Sequence, residues 1–452
     1  MMARAALIGD NSVEYVEKLL QIWEDCDCAV LIDWRIPFER IVEMMREAEV
    51  KYCYIGRECL NEKIAYDITD IEFKVYESSG SKPRLLPDAV RNRFKPSYSR
   101  SEAVVIYSSG TTGKAKGVIL SHYAINANAD AIIGYMNPST NDCICIAKAL
   151  SHSSTLTGEL LMALKSGIGI VISPVIVPPR CIFKNIINFS VTILCVNPTL
   201  LRLIAIEHMK KRYDNLTLKK IYVSGSVLDD QTYELAHRAF DRNPIYNVYG
   251  LSELAPRVTA QTESCCKSNS VGKPIHGVEI AIVNEIGETV SAGGRGIIHV
   301  NSPSVFNGYI SGNLKYKSLY RGWLNTGDTG YIDENGELHV CGRIDDVMII
   351  NSHKIYPTDV ENAVCTIAGV RECAVSKIVY SGMETIGCLY TGEVAIHDII
   401  TNIRSRLASY EVPKRFIRVD SLPKSVNGKL LRNDVRRILE DYSNECVIHE
   451  NE

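Results

Sequence analysis

A segment rich in glycine, serine, threonine and lysine follows an apolar run at residues 103–106. It reads SSGTTGKAKG over residues 108–117. Glycines let a backbone approach a ligand closely, hydroxyls donate to phosphate oxygens, and Lys114 and Lys116 add positive charge. The segment is not a Walker loop, because Ala115 stands where that motif requires glycine. We therefore predict a polyphosphate-binding loop, although composition alone also allows a flexible linker.

Four further segments combine charged side chains with residues typical of turns. They are YGLSE at 249–253, WLNTGD at 323–328, GRIDD at 342–346 and PKSVNGKLLR at 423–432. Each has an ordinary structural interpretation when taken alone. Asp328 is then a turn residue in NTGD, and Lys429 is a surface lysine in NGK.

The elements that must position these residues follow from the apolar periodicity. The first 55 residues alternate strands with helices, which predicts a βαβαβ unit and a parallel sheet. The strands are predicted at 5–8, 29–32 and 51–55, with helices at 12–24 and from Pro37. The same alternation resumes over 104–248, with strands in AVVIY, CICIA, IGIVIS, VTILCV, KIYVSG and PIYNVY. The prediction is a doubly wound α/β architecture.

After residue 270 the sequence pattern changes to short β-like runs interrupted by Gly, Asn and Pro. This pattern favours a small β-barrel-like subdomain over about 270–341. A mixed α+β pattern follows. We predict a large domain over 1–344 and a small C-terminal domain over 345–452. The stretch 77–101 is predicted to be a connecting loop.

Composition excludes several classes of function. The 452 residues carry 50 basic and 53 acidic side chains and no polybasic block, so neither nucleic acid nor a membrane surface is an expected partner. The 15 cysteines form no CxxC pair, which favours reduced thiols. The apolar stretch before Asp10 is too short for a signal peptide, and the one at 167–179 is interrupted by Pro174. We predict a cytoplasmic protein.

In their order and over nearly the whole chain, the five motifs resemble those of the adenylate-forming superfamily. That superfamily comprises acyl-CoA and aryl-CoA synthetases, amino-acid adenylation domains of peptide synthetases and firefly-type luciferases. The resemblance implies ATP and Mg²⁺, an acyl-adenylate with release of pyrophosphate, and transfer of the acyl group to the thiol of CoA or of a carrier protein. Two anions must meet at the α-phosphorus, so cations and hydrogen-bond donors must converge there.

The resemblance also implies roles for residues that match the motifs. Glu253 is expected to be a Mg²⁺ ligand, Asp328 to accept the ribose hydroxyls and Arg343 to contact ribose or phosphate. Lys429 is expected to bridge the substrate carboxylate and the α-phosphate, and Asp345 to be the hinge of a mobile small domain. The remaining nucleotide-binding residues are expected to be Ser108, Ser109, Gly110, Thr111, Thr112, Gly113, Lys116, Gly225, Tyr249, Gly250 and Ser252, with Thr112 also catalytic.

The segment 149–164 aligns with the one that lines the acid pocket in this superfamily. His152 matches a histidine that acyl- and aryl-CoA ligases place between the ATP site and the thiol channel. Adenylation domains for amino acids carry an aspartate here, whereas this chain has Ser153, Ser154 and Thr155. Because an unpaired ammonium would be costly, a non-amino acid, aryl or acyl, is the predicted substrate. An unusual amino or hydroxy acid and a non-catalytic nucleotide-binding protein remain alternatives.

Two departures from the superfamily pattern bear on the second step and on assembly. Ser352 stands where CoA ligases have glycine, so the thiol channel is expected to be narrower and the acceptor stays open between CoA and a carrier protein. Relatives usually have a further strand-rich segment before the first residue of this chain. A shortened large domain with an exposed sheet edge is expected, and with it a possible homodimer.

Overall fold

The structure is a computed structural model of the chain. It describes residues 2–61, 68–78, 82–108, 115–175, 177–241, 243–263, 269–312, 319–320, 322–351, 353–380, 382–425 and 428–445. The central loop residues of the first motif, Ser109, Gly110, Thr111, Thr112 and Gly113, lie outside the described residues, and so does Ser352.

The strands, in chain order, are β1 (Arg4–Ile8), β2 (Cys28–Leu31), β3 (Tyr52–Gly56), β4 (Glu72–Tyr76), β5 (Arg84–Leu85), β6 (Glu102–Ser108), β7 (Lys116–Ser121), β8 (Cys143–Ile146), β9 (Gly169–Ile172), β10 (Ile193–Val196), β11 (Lys220–Val223), β12 (Ile245–Gly250), β13 (Arg257–Ala260), β14 (Lys273–Pro274), β15 (Glu279–Val283), β16 (Gly296–Asn301), β17 (Gly308–Tyr309), β18 (Leu319–Tyr320), β19 (Trp323–Ile332), β20 (Leu338–Arg343), β21 (Met348–Ile350), β22 (His353–Ile355), β23 (Val370–Tyr380), β24 (Met383–Gly392) and β25 (Arg415–Arg418).

The α-helices span Val13–Glu24, Phe38–Glu47, Asp88–Arg91, His122–Met136, Ser153–Thr155, Met162–Ser166, Pro179–Phe189, Pro198–Lys211, Asp230–Ala239, Pro357–Cys365, Ile396–Ile403 and Arg432–Glu445. A π-helix spans Leu156–Leu161, and short 3₁₀ segments span Arg57–Cys59, Ser252–Leu254 and Ile344–Asp346.

The first sheet has the order β17-β7-β6-β2-β1-β3-β4. Strands β1, β2, β3, β4 and β6 pair in parallel, which confirms the βαβαβ unit. Strands β4 and β7 were not predicted. Strand β7 pairs antiparallel with β6, so the phosphate-loop segment joins two neighbouring strands of one hairpin.

The second sheet has the order β14-β13-β12-β11-β10-β8-β9-β5, and β8 to β12 are parallel. All six strands predicted between residues 104 and 248 are present in the two sheets. The prediction of an uninterrupted loop over 77–101 was wrong, because this stretch contains β5 and the helix Asp88–Arg91. These elements have two and four residues, which is too short for an apolar period to be visible.

The β-rich texture after residue 270 corresponds to a sheet of β15, β16, β18, β19 and β20. Strand β19 is continuous through the predicted turn NTGD, and β20 pairs with it in antiparallel register. The turn interpretation of Asp328 was therefore wrong, since this residue lies within a strand. The mixed α/β class with several sheets and a separate C-terminal domain is confirmed.

The chain forms two compact units. One contains residues 1–228, 235–281 and 299–326, and the other contains 229–234, 282–298 and 327–452. Within the second unit, β23, β24 and β25 form a sheet whose apolar side chains pack with those of Pro357–Cys365, Ile396–Ile403 and Arg432–Glu445. The domain boundary at Asp345 stays a prediction.

All twelve described cysteines are free, and eight of them are buried. Among the helices that the structure describes, none is both long and apolar enough to cross a membrane.

Candidate functional site

The first motif starts and ends in the β6–β7 hairpin. Ser108 pairs directly with Lys116 across the two strands, so both ends of the loop are fixed by backbone hydrogen bonding. The amino group of Lys116 lies 5.8 Å from the centre of the Tyr309 ring. Tyr309 belongs to β17, the strand that pairs with the other edge of β7.

A buried carboxylate lies in the same region of the first unit. Glu253 is in the 3₁₀ turn that follows β12 and is 6% exposed. The hydroxyl of Tyr309 donates to Glu253 Oε1 at 2.7 Å, and the amide of Phe306 donates to the Glu253 carbonyl at 2.9 Å. The structure thus brings Lys116 and Glu253 to the same tyrosine, which the sequence analysis did not identify.

The donor set fits Mg²⁺ bound mainly through substrate phosphates. No group of three or more His, Cys, Asp or Glu that could hold a metal occurs in the described part of the chain. Mg²⁺ typically takes one or two protein carboxylates together with phosphate oxygens and water. A single anchored carboxylate, Glu253, satisfies that requirement.

Two glycines predicted to bind nucleotide occupy positions that favour glycine, each for a different structural reason. A Cβ atom on Gly250 would lie 2.0 Å from the Pro256 carbonyl oxygen, so only glycine allows β12 to approach the turn that follows it. Gly225 follows β11 with φ +105° and is exposed. Tyr249 lies in β12, directly before Gly250.

His152 precedes the short helix Ser153–Thr155 in an extended conformation. Its Nε2 lies 3.9 Å from Asp33 Oδ2. Burial opposes ionisation of Asp33, but hydrogen bonds and charge from Arg35 leave the pKa of that carboxyl below its ordinary value. Asp33 is therefore an anion facing His152. Sequence analysis did not identify it, because the two residues are far apart along the chain.

The acid segment contacts the YGLSE motif directly. Ser153 Oγ lies 3.1 Å from Ser252 Oγ. The segment continues into the π-helix Leu156–Leu161, all of whose residues are buried. The predicted acid-binding segment and the predicted Mg²⁺ ligand are thus held together within one compact unit.

A buried charge cluster extends from this contact. Glu159 is 1% exposed in the π-helix, and Lys148 Nζ lies 3.0 Å from its Oε1. Burial raises the Glu159 pKa to about 7, against the positive charges of Lys148 and Arg257. The acid segment therefore does contain a carboxylate, Glu159, four residues beyond Thr155. This carboxylate is already in contact with Lys148.

Replacement of Glu159 by glutamine is expected to change how stability depends on pH. The Glu159 pKa is raised from 4.5 to about 7, so the folded wild type binds more protons than the unfolded chain between these values and loses stability as pH rises. The loss amounts to about 3 kcal/mol, at about 1.4 kcal/mol per pKa unit. Glutamine does not titrate, so Glu159→Gln does not show this pH-dependent loss. The stability of the variant relative to wild type should therefore rise from pH 5 to pH 8.

Urea unfolding of both proteins at several pH values measures this difference. Glu263→Gln is a suitable control, because Glu263 is exposed and belongs to the same unit. A constant offset between wild type and Glu159→Gln over the whole range would contradict the raised pKa.

The second unit holds the other predicted nucleotide residues. Asp328 and Arg343 face each other across β19 and β20, and Arg343 Nη1 donates to Asp328 Oδ1 at 2.9 Å. Asp328 is 7% exposed. Gly327 has φ +70°, a backbone conformation that residues with a side chain rarely adopt, and a Cβ atom there would lie 2.7 Å from Arg343 Nη2.

Lys429 lies in a turn before the helix Arg432–Glu445 and has an exposed side chain. The Ser425 amide donates to the Lys429 carbonyl at 2.7 Å, which closes the turn. Burial raises the pKa of Asp346, whereas positive charge from Arg432, Arg343 and Lys429 opposes that rise. Lys429 and Arg343 therefore both act electrostatically on one carboxylate of this unit.

Arg432, the last residue of the fifth motif, forms a two-pronged salt bridge with Glu361. Sequence analysis gave neither residue a role. This salt bridge anchors the end of the motif that carries Lys429. Asp345 is exposed in the 3₁₀ segment Ile344–Asp346, and its hinge role stays a prediction.

Two family models match the chain. The model described as AMP-binding enzyme matches residues 2–310, and the model described as AMP-binding enzyme C-terminal domain matches residues 359–429. The first model covers the motifs SSGTTGKAKG and YGLSE, and the second covers PKSVNGKLLR as far as Lys429. The motifs WLNTGD and GRIDD lie between the two matched ranges.

Curated relatives share about a quarter of their residues with the chain. A 2-succinylbenzoate–CoA ligase of Bacillus cereus is 27% identical over 448 residues, which is 97% of this chain and 89% of that protein. A feruloyl-CoA synthase of Amycolatopsis is 28% identical over 343 residues, 74% of this chain and 69% of that protein.

Solved structures show the same fold. The anthranilate CoA ligase AuaEII, in complex with anthranoyl-AMP, has a TM-score of 0.86 at 21% identity, covering 98% of this chain and 89% of that one. The o-succinylbenzoate CoA synthetase MenE of Bacillus subtilis, in complex with ATP and magnesium ion, has a TM-score of 0.81 at 23% identity, covering 95% and 88%.

Proposed function

Because the chain belongs to the AMP-binding enzyme family, we propose that it is an ATP-dependent ligase that adenylates a non-amino carboxylic acid, aryl or acyl, and transfers the acyl group to CoA. The relatives named above act on such acids and use CoA, as their names state. The observation that carries the proposal is the buried Glu253, anchored by Tyr309 beside Lys116 and in contact through its motif with the acid segment.

In the first step, the carboxylate of the acid attacks the α-phosphorus of ATP and pyrophosphate leaves. Lys116 would hold the departing phosphates and Lys429 would offset the repulsion between carboxylate and α-phosphate. Asp328 would accept the ribose hydroxyls, with Arg343 holding this carboxylate in place by a hydrogen bond to Oδ1. Glu253 would hold Mg²⁺, which neutralises phosphate charge when bound.

In the second step, a thiol attacks the carbonyl carbon of the adenylate and AMP leaves. His152 would lie on the route of the thiol, and Asp33, 3.9 Å away, would orient its ring. The thiol of a carrier protein is the alternative acceptor. We propose CoA because the curated relatives named above are CoA ligases.

Acid-dependent exchange of labelled pyrophosphate into ATP tests the first step across a panel of aryl, acyl, hydroxy and amino acids. Mass spectrometry of the products with CoA or with a phosphopantetheinylated carrier protein tests the second. Exchange with an aryl or acyl acid followed by a CoA thioester is expected. Binding of ATP without exchange for any acid would contradict the proposal and favour a non-catalytic nucleotide-binding protein.

Tyr309→Phe is expected to raise the Mg²⁺ concentration for half-maximal exchange about tenfold, because Glu253 loses a hydrogen bond to its charged group. The maximal rate at saturating Mg²⁺ should change much less. Magnesium titrations of the exchange reaction measure both quantities. Tyr98→Phe is the matched control, since this exposed tyrosine also donates to a carboxylate. An unchanged Mg²⁺ requirement in Tyr309→Phe would remove Tyr309 from this role.

A further inference from the structure

A buried asparagine with no role in the steps above contacts the turn that carries Glu253. Asn128 lies in the helix His122–Met136 and is fully buried. Its Nδ2 group donates to the carbonyls of Leu254 at 3.2 Å and of Arg257 at 2.9 Å, and its Oδ1 accepts from the Arg257 amide at 2.9 Å. Both N–H groups and the acceptor oxygen of this side chain are therefore used on the chain just after Glu253.

The turn over residues 251–257 is also closed by its own backbone. The Leu251 amide donates to the Pro256 carbonyl at 2.8 Å, and the Leu254 amide donates to the Leu251 carbonyl at 2.9 Å. Bonds of this kind fix the shape of the turn. Its position relative to other elements depends on contacts from outside, and Asn128 supplies three such hydrogen bonds.

The helix that carries Asn128 continues directly from β7. Ser121 is the last residue of β7, and its hydroxyl accepts from the Ala124 amide at 3.1 Å, which caps the helix. Lys116 is the first residue of the same strand. One continuous strand–helix segment therefore connects the cation proposed to hold the departing phosphates with the asparagine that holds the Glu253 turn.

The carboxylate of Glu253 is connected to β7 as well, through a different element. Tyr309, in β17, pairs with Val118 of β7 and donates to Glu253 Oε1 at 2.7 Å. Tyr309 therefore orients the carboxylate, whereas Asn128 fixes the backbone beside it. Both contacts connect Glu253 to β7 and thereby to Lys116.

The separation of Lys116 and Glu253 matters because of what each is proposed to bind. Mg²⁺ requires short, nearly octahedral bonds to oxygen, which it takes from carboxylates and phosphates together. The carboxylate and the group that holds the phosphates must therefore keep a fixed separation. Residues that only support a metal ligand still contribute to metal affinity, typically by about 10- to 100-fold.

Resting on the proposed function, we propose that Asn128 is a positioning residue that sets the place of Glu253 relative to Lys116, so that Mg²⁺ and the phosphates of ATP are bound together. Asn128 acts through the backbone at Leu254 and Arg257 rather than by contact with nucleotide or acid. Its loss should weaken the effect of Mg²⁺ on ATP binding and leave the binding of metal-free ATP nearly unchanged.

Calorimetric titration of the full chain with ATP, in EDTA and at several Mg²⁺ concentrations, tests the proposal without any acid. Asn128→Leu is close in size but has no polar group, so it removes all three hydrogen bonds. The variant is expected to need about tenfold more Mg²⁺ for the half-maximal effect on ATP affinity, while its affinity for ATP in EDTA stays within about twofold of wild type. An unchanged Mg²⁺ requirement in folded Asn128→Leu would overturn the proposal.

Asn126→Leu is the matched control. Asn126 lies in the same helix, is 1% exposed, and donates to the carbonyls of Ser97 at 2.9 Å and of His122 at 3.0 Å, which lie outside the Glu253 turn. Both variants should lower the thermal melting temperature, but only Asn128→Leu should change the Mg²⁺ requirement. An equal increase of that requirement in both would show a purely structural role and overturn the proposal.

Amide hydrogen exchange of the wild type decides if neither Asn128→Leu nor the smaller Asn128→Ala folds. The Arg257 amide donates to a buried acceptor in the protein without ligand, so it should exchange slowly both without and with Mg²⁺ and ATP. Rapid exchange of this amide that slows only when Mg²⁺ and ATP are bound would overturn the proposal, because the ligand would then position the turn.

Failure of the proposed function would look different. Absence of pyrophosphate exchange with every acid would overturn that function, whereas the titrations with ATP need no acid and would still decide on Asn128. Wild-type ATP binding that does not respond to Mg²⁺ would overturn the inference together with the role of Glu253.

Discussion

Lys429→Ala is expected to lower the rate of adenylate formation about 1,000-fold and to change ATP affinity by no more than a few fold. The reason is that the proposed bridge between carboxylate and α-phosphate acts where charge develops in the transition state, and such groups contribute 10²- to 10³-fold. Binding of ATP depends on the other cations and on Asp328. Single-turnover adenylate formation and calorimetric titration with ATP separate the two effects.

Two further variants sharpen this test. Lys429→Arg keeps the charge but changes its geometry, so it should retain part of the activity. Lys414→Ala removes an exposed lysine from the same unit and should behave like wild type. If Lys429→Ala formed adenylate at the wild-type rate, the assignment of Lys429 would be wrong, and the exposed position of its side chain would be that of an ordinary surface lysine.

Asp328→Asn should weaken binding of ATP and of AMP about 100-fold. The substitution conserves shape, but an amide offers one acceptor oxygen where the carboxylate offers two for the ribose hydroxyls. The loss of hydrogen bonds to a charged acceptor, each worth about 1.5–3 kcal/mol, gives this magnitude. Equilibrium titration of the variant with both nucleotides measures it, and the effect on AMP distinguishes ribose binding from phosphate binding.

The matched control for Asp328→Asn is Asp359→Asn. Asp359 forms a salt bridge with Arg295 in the same unit, so this variant also removes a carboxylate from an arginine. Its nucleotide affinity should equal that of wild type. A similar loss in both variants would mean that damage to the unit, rather than loss of a ribose contact, explains the Asp328 result.

Sequence periodicity predicted the parallel core of the fold because fully buried strands such as β8 (CICI) and β10 (ILCV) are apolar along their whole length. It did not predict β7, whose first residues are Lys116 and Gly117 at the end of the glycine-rich segment. Nor did it predict that β19 continues through Asn325 and Gly327. In both places the local composition is typical of turns, and pairing with a strand elsewhere in the chain decides the structure.

The motifs identified residues that are close in sequence, but not the partners that hold them. Tyr309 contacts Glu253 across 56 residues, and Asp33 faces His152 across more than 100. Arg257 and Glu159 belong to none of the five motifs, and they can be recognised only because both are buried in the structure. Such partners depend on sheet order, which places β17 beside β7 and cannot be read from spacing along the chain.

The position of Lys116 at the start of β7 determines what kind of positive charge it offers to a phosphate. In a loop that opens a helix, aligned peptide dipoles supply partial positive charge that no side-chain substitution removes. Here the segment leads into β7, and the helix His122–Met136 begins only at the far end of that strand. If Lys116 holds phosphate as proposed, its attraction comes from a side chain on a strand, so a substitution of this one residue can adjust nucleotide affinity while the backbone of β6 and β7 stays unchanged.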